Sequence, residues 1–229
     1  MEQITFGLIW YLVFLFSTCC HEAAHALVAM RLGDPTAYLG GQVSLNPIPH
    51  VRREPLGTVL IPLVSFMAGG WMIGWASAPY DPYWAERYPK RSAMMSLAGP
   101  LANLLLLILA AIGIRIGLAL GQFQIPDDIM FSQLVEPHNA GFFSGFATMI
   151  SIMFSLNLLL FIFNLIPLPP LDGSGAIPLL LPEEQASSYV AFLHQSSTHF
   201  IFLFVAWRAM DYIFNPVFSR VLDLLYLGV

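Results

Sequence analysis

A run of apolar residues near the N-terminus contains three ionisable side chains, His21, Glu22 and His25, in the order HEAAH. Histidines four positions apart lie on the same face of a helix, so both imidazoles can bind one metal ion. The glutamate between them can reach a water molecule on that metal and act as a general base. Burying such groups in an apolar segment is costly, and the pattern therefore predicts metal-dependent hydrolysis rather than packing.

The composition predicts that this segment lies in a membrane. Of the 229 residues, 57% are hydrophobic and only 10% are charged, whereas an average soluble domain has about 25% charged residues. The net charge of -5 is mild and argues against nucleic acid as a partner. We therefore expect an all-α polytopic protein of the lipid bilayer, with about four to six transmembrane helices in one membrane-embedded domain over residues 1–229.

Apolar runs predict the elements of this domain. Long runs indicate membrane spans at residues 5–30, 92–120, 142–165 and about 197–214, the last ending before Asn215-Pro216. Residues 37–51 contain glycines and prolines among β-forming residues, which predicts a short β-hairpin or an extended segment after the HExxH helix. Residues 57–76 are apolar, but Gly69-Gly70 interrupt them after about 12 residues, or roughly 18 Å of helix. This predicts a re-entrant half-helix with an extended return.

The distribution of basic residues predicts the orientation. The loop at 121–141 has no basic residue. Six of the nine basic residues lie between the first span and residue 92: Arg31, Arg52, Arg53, Arg87, Lys90 and Arg91. The positive-inside rule then places residues 31–91 in the cytoplasm and 121–141 outside, if residues 57–76 return to the side they left. We expect a multi-pass protein of the cell (inner or plasma) membrane with its active site towards the cytoplasm.

A catalytic zinc site has three protein ligands and an open position, so the two histidines require a third ligand. Most other acidic residues lie in loops or at helix starts, but Asp172 follows proline-rich backbone at the cytoplasmic end of a span, in NLIPLPPLDG. Two spans separate it from His25, and an even number of crossings returns the chain to the same side. Asp172 is therefore the candidate third ligand, although an aspartate before glycine also fits a helix cap or turn.

Polar residues in the spans have two interpretations each. Asn164, eight residues before Asp172, could orient the substrate backbone or support the aspartate by a hydrogen bond, and Asn103 could do likewise. Both could instead only join neighbouring helices. Ser17 and Thr18 lie near the histidine face and either line a water path or pack between helices.

Three motifs together resemble the site-2 protease family of intramembrane zinc metalloproteases: HExxH in a span, AGPLAN at 98–103 and NLIPLPPLDG at 164–173. The resemblance covers roughly residues 10–180, and LNPIPH at 45–50 and GWASAP at 74–79 resemble the small prokaryotic branch without PDZ or CBS domains. It implies one zinc ion held by His21, His25 and Asp172, with Glu22 as the catalytic base that activates zinc-bound water. It also implies hydrolysis of a peptide bond within or near a transmembrane segment of a membrane protein or peptide.

This resemblance predicts a catalytic core at about residues 5–180, followed by C-terminal helices at 183–229. The extended stretches 41–48 and 71–79 could pair with an unwound substrate strand. The alternative is a non-enzymatic metal-binding membrane transporter or sensor, which would use the same ligands but would not need Glu22. The sequence gives no signal for an oligomeric state.

Overall fold

The computed structural model describes residues 2–138, 142–195 and 199–228. Its elements, in chain order, are α1 (Glu2–Leu32), α2 (Thr36–Leu39), α3 (Pro47–Arg53), a π-helical turn (Leu56–Leu60) leading into α4 (Ile61–Gly69), α5 (Pro82–Arg87), α6 (Pro89–Ala119), β1 (Phe123–Gln124), β2 (Glu136–Pro137), α7 (Phe142–Leu165), α8 (Asp172–Ala176) with a 3-10 turn (Ile177–Leu180), α9 (Glu183–Gln195) and α10 (His199–Leu225). Within the described ranges, α1, α6, α7 and α10 are long and apolar enough to cross a membrane. The predicted all-α polytopic fold is confirmed.

Helices α1, α6 and α7 pack against one another and form the centre of the molecule. Trp10, Val13 and Phe14 of α1 meet Ile152 and Leu156 of α7 in one buried cluster. The HEAAH segment lies further along the same helix, where His21 and His25 contact Asn103 and the Met95 carbonyl of α6.

Helix α10 lies outside this centre and packs partly on α7. Arg115 of α6 donates from Nη1 to the carbonyls of Leu225 and Leu227 and so holds the C-terminal end of α10. The sequence predicted that this span ends near residue 214, but α10 continues through Pro216 to Leu225. A proline costs the helix one backbone hydrogen bond, and packing of Phe214, Val217 and Phe218 on the core supports the helix there.

The segment predicted to re-enter has the expected form of a half-helix and an extended return. The π-helical turn and α4 end at Gly69, and Gly70 adopts a φ of 74°, which reverses the chain. The return then runs back along the helix, where the Trp75 amide donates to the Gly57 carbonyl at 3.1 Å. A Cβ on Gly74 would lie 2.2 Å from that carbonyl oxygen, so glycine is required for this approach.

A short antiparallel hairpin is present, but its position differs from the prediction. Strands β1 and β2 pair Phe123 with Pro137 and Gln124 with Glu136, in the loop between α6 and α7. Residues 37–51, where the sequence predicted the hairpin, form α2, a turn and α3 instead. Asn46 accepts a hydrogen bond from the Ile48 amide and Pro47 occupies the first helical position, both of which favour a helix start.

Candidate metal centre

His21 and His25 lie on one face of α1 and are both buried, with 7% of each residue exposed. Their ring centroids are 4.6 Å apart and the rings are nearly perpendicular. This arrangement brings the two Nε2 atoms within 3.0 Å of each other. The four-residue spacing therefore aims both imidazoles at one point, as the sequence predicted.

Asp172 reaches the same point from the first residue of α8. Its Oδ2 atom lies 3.0 Å from His21 Nε2, and its Oδ1 atom lies 3.4 Å from His25 Nε2. The structure thus brings together the three residues that the sequence selected from positions about 150 residues apart along the chain.

The two glycines after Asp172 explain how α8 comes so close to the histidines. A Cβ on Gly173 would lie 2.3 Å from the Leu165 carbonyl oxygen, and one on Gly175 would lie 2.3 Å from Ser96 Oγ. Only a residue without a side chain lets α8 rest on the end of α7 and on the flank of α6. The Lys90 ammonium then fixes the chain beyond α8, because its Nζ donates to the carbonyls of Pro178, Leu179 and Leu181.

The hydrogen bonds on the far side of each imidazole determine which nitrogen carries the proton. His25 Nδ1 lies 2.7 Å from the Met95 carbonyl oxygen, which can only accept, so Nδ1 must donate. His21 Nδ1 lies 2.6 Å from Asn103 Oδ1 and donates to it. In neutral imidazoles both Nε2 atoms then carry lone pairs, and both lone pairs face Asp172.

This donor set fits a metal ion. Two imidazole nitrogens and a carboxylate converge within bonding range of one centre, and among the described residues this is the group that could hold a metal. Asp172 Oδ2 is buried and has no hydrogen-bond partner in the described part of the chain. Three lone pairs at these distances require a positive charge among them. This charge is a shared proton in the metal-free chain, or a metal cation when one is bound. Two histidines and an acid are a common ligand set of catalytic zinc.

The Asp172 carboxyl stays ionised in this setting. Burial disfavours the charged form, but the positive charge of the neighbouring histidines in their protonated form, His25 above all, and the hydrogen bonds that they then donate outweigh burial and hold the pKa of this carboxyl well below its usual range. The group is therefore available as an anionic ligand at neutral pH.

Comparison with known proteins identifies the family. The model of peptidase family M50 matches residues 9–205, most of the chain. The chain belongs to this family. The resemblance to the site-2 protease family is therefore confirmed, and the chain is a membrane-embedded metallopeptidase.

Individual relatives agree with this assignment. YwhC of Bacillus subtilis is 37% identical, in a match that covers 76% of this chain and 73% of YwhC. Rip2 of Mycolicibacterium smegmatis is 31% identical over 75% of this chain, which spans only 57% of that longer relative. Both carry the name "Putative zinc metalloprotease". No solved structure matches the chain significantly.

The other three predicted site residues, Glu22, Asn103 and Asn164, differ in their burial and in their contact with the histidines. Glu22 is buried in α1 between the two histidines, with 6% exposed. Asn103 is fully buried and contacts His21, not Asp172, the ligand that the sequence analysis considered it to support. Asn164 is half-buried, and its Nδ2 donates to the Leu160 carbonyl of its own helix rather than to the cluster.

Ser17 and Thr18 serve helix packing. Ser17 is fully buried and accepts a hydrogen bond from Asn157, while Thr18 donates to the Phe14 carbonyl. Sequence analysis did not single out Asn157 or Gly99, although both border the site through Asn103 and the histidines. The available signal for Asn157 was an amide in the middle of an otherwise apolar span.

Proposed function

We propose that this peptidase is an intramembrane zinc metalloprotease that hydrolyses peptide bonds within or near transmembrane segments of membrane proteins. One observation carries the proposal: three metal-binding lone pairs converge on the buried face of a helix long enough to cross a membrane. The names of the M50 relatives support zinc as the cofactor.

The residues of the site have distinct roles in this reaction. His21, His25 and Asp172 would hold one zinc ion. When bound there, zinc would supply Lewis acidity and a water that is a competent nucleophile at neutral pH. Glu22, on the same turn of α1, takes the proton from the attacking water and later passes it to the leaving amine.

An open groove runs along α1 on a side of the helix that the two histidines do not line. It has a volume of about 420 Å³ between α1 and the loop before α3, and it is lined by Cys20, Ala23, Ala24, Leu27, Val43, Ser44 and Leu45. Three of its four α1 residues, Cys20, Ala23 and Ala24, are small, which would let a peptide backbone approach the helix that carries HEAAH. Asn164, whose amide lies near the end of α7, would orient the substrate backbone.

The substrate helix has to unwind before attack because its amides are engaged in internal hydrogen bonds. The extended return after α4 can receive the unwound strand by β-addition. The amides of Ile73 and Trp75 point to Ser65 Oγ and to the Gly57 carbonyl. In an extended chain the backbone groups of Gly74 and Ala76 point the opposite way, towards a potential partner strand. The Gln42 side chain, which donates to the Ser77 carbonyl, keeps the stretch at 41–48 next to this edge.

The peptidase is a multi-pass membrane protein, and we place it in the cell membrane with its site towards the cytoplasm. His21 lies about 16 Å from the end of α1 at Leu32, by the rise of a helix. By the positive-inside rule, the basic residues at 31–91 support a cytoplasmic location of that end. We assign residues 1–229 to one membrane-embedded domain, with the catalytic core at about 5–180 and the C-terminal helices at 183–229.

The decisive experiment measures zinc content and cleavage of a model transmembrane peptide by the wild type and by Glu22→Gln. We expect Glu22→Gln to retain one zinc per chain and to lose at least about a hundredfold in cleavage rate, the usual size of general-base catalysis. His25→Ala should lose both zinc and cleavage. A wild type that binds zinc but cleaves no membrane peptide, and whose metal transport survives Glu22→Gln, would favour the transporter or sensor instead.

A further inference from the structure

A chain of buried hydrogen bonds connects His21 to two helices beyond its own. Asn103 of α6, which accepts from His21 Nδ1, donates from Nδ2 to Asn157 Oδ1 of α7 at 2.8 Å. Asn157 in turn donates from Nδ2 to Ser17 Oγ of α1 at 2.9 Å and to the Met153 carbonyl at 2.8 Å. Asn103, Asn157 and Ser17 are each 0% exposed.

The Met153 carbonyl determines which group donates and which accepts in each of these hydrogen bonds. The Met153 carbonyl can only accept, so Asn157 must turn its Nδ2 towards it and its Oδ1 towards Asn103. Asn103 must then present its own Nδ2 to Asn157, which leaves its Oδ1 for His21. An acceptor at that position requires a proton on His21 Nδ1.

From this geometry we infer that Asn157 is a positioning residue of the metal site, which acts through Asn103 to keep the His21 Nε2 lone pair directed at the metal. The inference rests on the proposed metal centre. Without Asn157, the Asn103 amide is free to rotate and present its Nδ2 to His21. The opposite imidazole tautomer would then place a proton on Nε2, where the ligand lone pair is needed.

The tautomer of His21 depends on side-chain amides, whereas that of His25 does not. The Nδ1 atom of His25 faces the Met95 carbonyl directly, and a backbone carbonyl cannot exchange acceptor for donor. A side-chain amide can, because its oxygen and nitrogen ends are similar in shape. The Met153 carbonyl orients the Asn157 amide, and the Asn157 amide orients the Asn103 amide. The Asn103 oxygen is thereby kept towards His21 Nδ1.

The test is a double-mutant cycle read out as zinc affinity of the full chain in detergent, measured by competition with a chelator. We expect Asn157→Leu to weaken zinc binding by about 10- to 100-fold, the usual cost of losing a hydrogen-bond partner behind a metal ligand. In an Asn103→Asp background either carboxylate oxygen accepts from His21 Nδ1, so the direction no longer matters. There Asn157→Leu should change zinc affinity by less than about threefold.

Two controls separate positioning from general loss of structure. Ser17→Ala should change zinc affinity by less than about threefold, because the Met153 carbonyl still orients Asn157. Ser155→Ala removes a buried hydroxyl on the same helix that has no hydrogen-bond partner among the described residues, and it should leave zinc binding unchanged. If Asn157→Leu does not fold, Asn157→Ser replaces it in the cycle, because a serine hydroxyl bonds back to its own helix carbonyl and does not orient Asn103.

The outcomes distinguish this inference from the proposed function. If the wild type binds zinc but Asn157→Leu binds it equally well, or if the loss is equal in the Asn103→Asp background, the positioning role is overturned and the metal centre stands. If the wild type does not bind zinc, both fail. The absorption bands of the Co²⁺-substituted chain provide a second readout, because they change when a ligand is misoriented and do not change when only stability falls.

Discussion

At the scale of single residues, Gly99 shows how closely α6 approaches the proposed metal ligands. A Cβ at this position would lie 2.3 Å from His25 Nε2 and 2.4 Å from His21 Nε2, far inside van der Waals contact. The backbone of α6 therefore forms a wall of the site, and glycine is the residue that leaves the imidazoles room to converge. The same helix provides the Met95 carbonyl and Asn103 behind the two rings.

We expect Gly99→Ala to lower zinc affinity by at least about tenfold, because the added methyl group displaces both imidazoles from their common centre. Chelator competition on the purified chain measures this. The matched control is Gly113→Ala on the same helix, where the Cβ would meet only the end of the flexible Ile150 side chain. Equal zinc affinity in the Gly99→Ala variant and the wild type would show that the α6 backbone at Gly99 lies further from the two imidazoles than in the structure.

At the scale of elements, the half-helix and its return form a short unit between α3 and α5. Gly57 and Gly74 let its two halves touch, and Ser77 joins the return to α3 because its hydroxyl donates to Glu54 and accepts from Arg53. The edge of the return is thus held in an extended conformation before any substrate binds. Such preorganisation reduces the entropy that β-addition of a substrate strand has to overcome.

Ala76→Pro tests whether this edge binds substrate. Proline removes the amide of residue 76 without opposing an extended backbone, so we expect kcat/KM for a transmembrane peptide to fall about threefold to tenfold, the value of one hydrogen bond. Zinc content should not change. Ala76→Val keeps the amide and suits an extended strand, and it should cleave like the wild type. Unimpaired cleavage by Ala76→Pro would exclude pairing at this position.

At the scale of the whole molecule, four helices of the described residues are long and apolar enough to cross a membrane. Helices α6 and α7 separate HEAAH from Asp172, so the chain crosses out and back before α8 meets α1. In the proposed topology the segment at 56–81 returns to the side it left, and this count agrees with the placement of basic residues 31–91 on one side. The proposed orientation would place both halves of the metal site towards the cytoplasmic end of the central bundle.

Labelling with a membrane-impermeant thiol reagent tests this orientation. In intact cells we expect Asp128→Cys, an exposed position in the loop between α6 and α7, to react at once. Arg52→Cys, which is exposed in α3, should react only after the cells are permeabilised. The parent chain, whose Cys19 is buried and Cys20 half-buried in α1, is the blank. The opposite labelling pattern would reverse the orientation and place the site at the outer face.

The sequence by itself determined the features that depend on local pattern. Helical spacing put His21 and His25 on one face, long apolar runs defined the membrane helices, and Gly69-Gly70 ended α4 because glycine readily adopts the positive φ found at Gly70. An even number of crossings was enough to predict that Asp172 returns to the side of the histidines. Each of these follows from the residues within one element or from counting elements.

Only the tertiary structure decided which amides serve the site. Asn103 contacts His21 and Asn157 supports Asn103, while Asn164 bonds within its own helix. Helices that are apolar all round give no periodic signal for the face that turns inward, so the three asparagines look alike in sequence. Residues 47–51 became helical because Asn46 and Pro47 start α3, a local preference that outweighed the β-forming residues around them. The contacts between α1, α6 and α7 determined which face of each helix turns towards the site, and composition does not give this information.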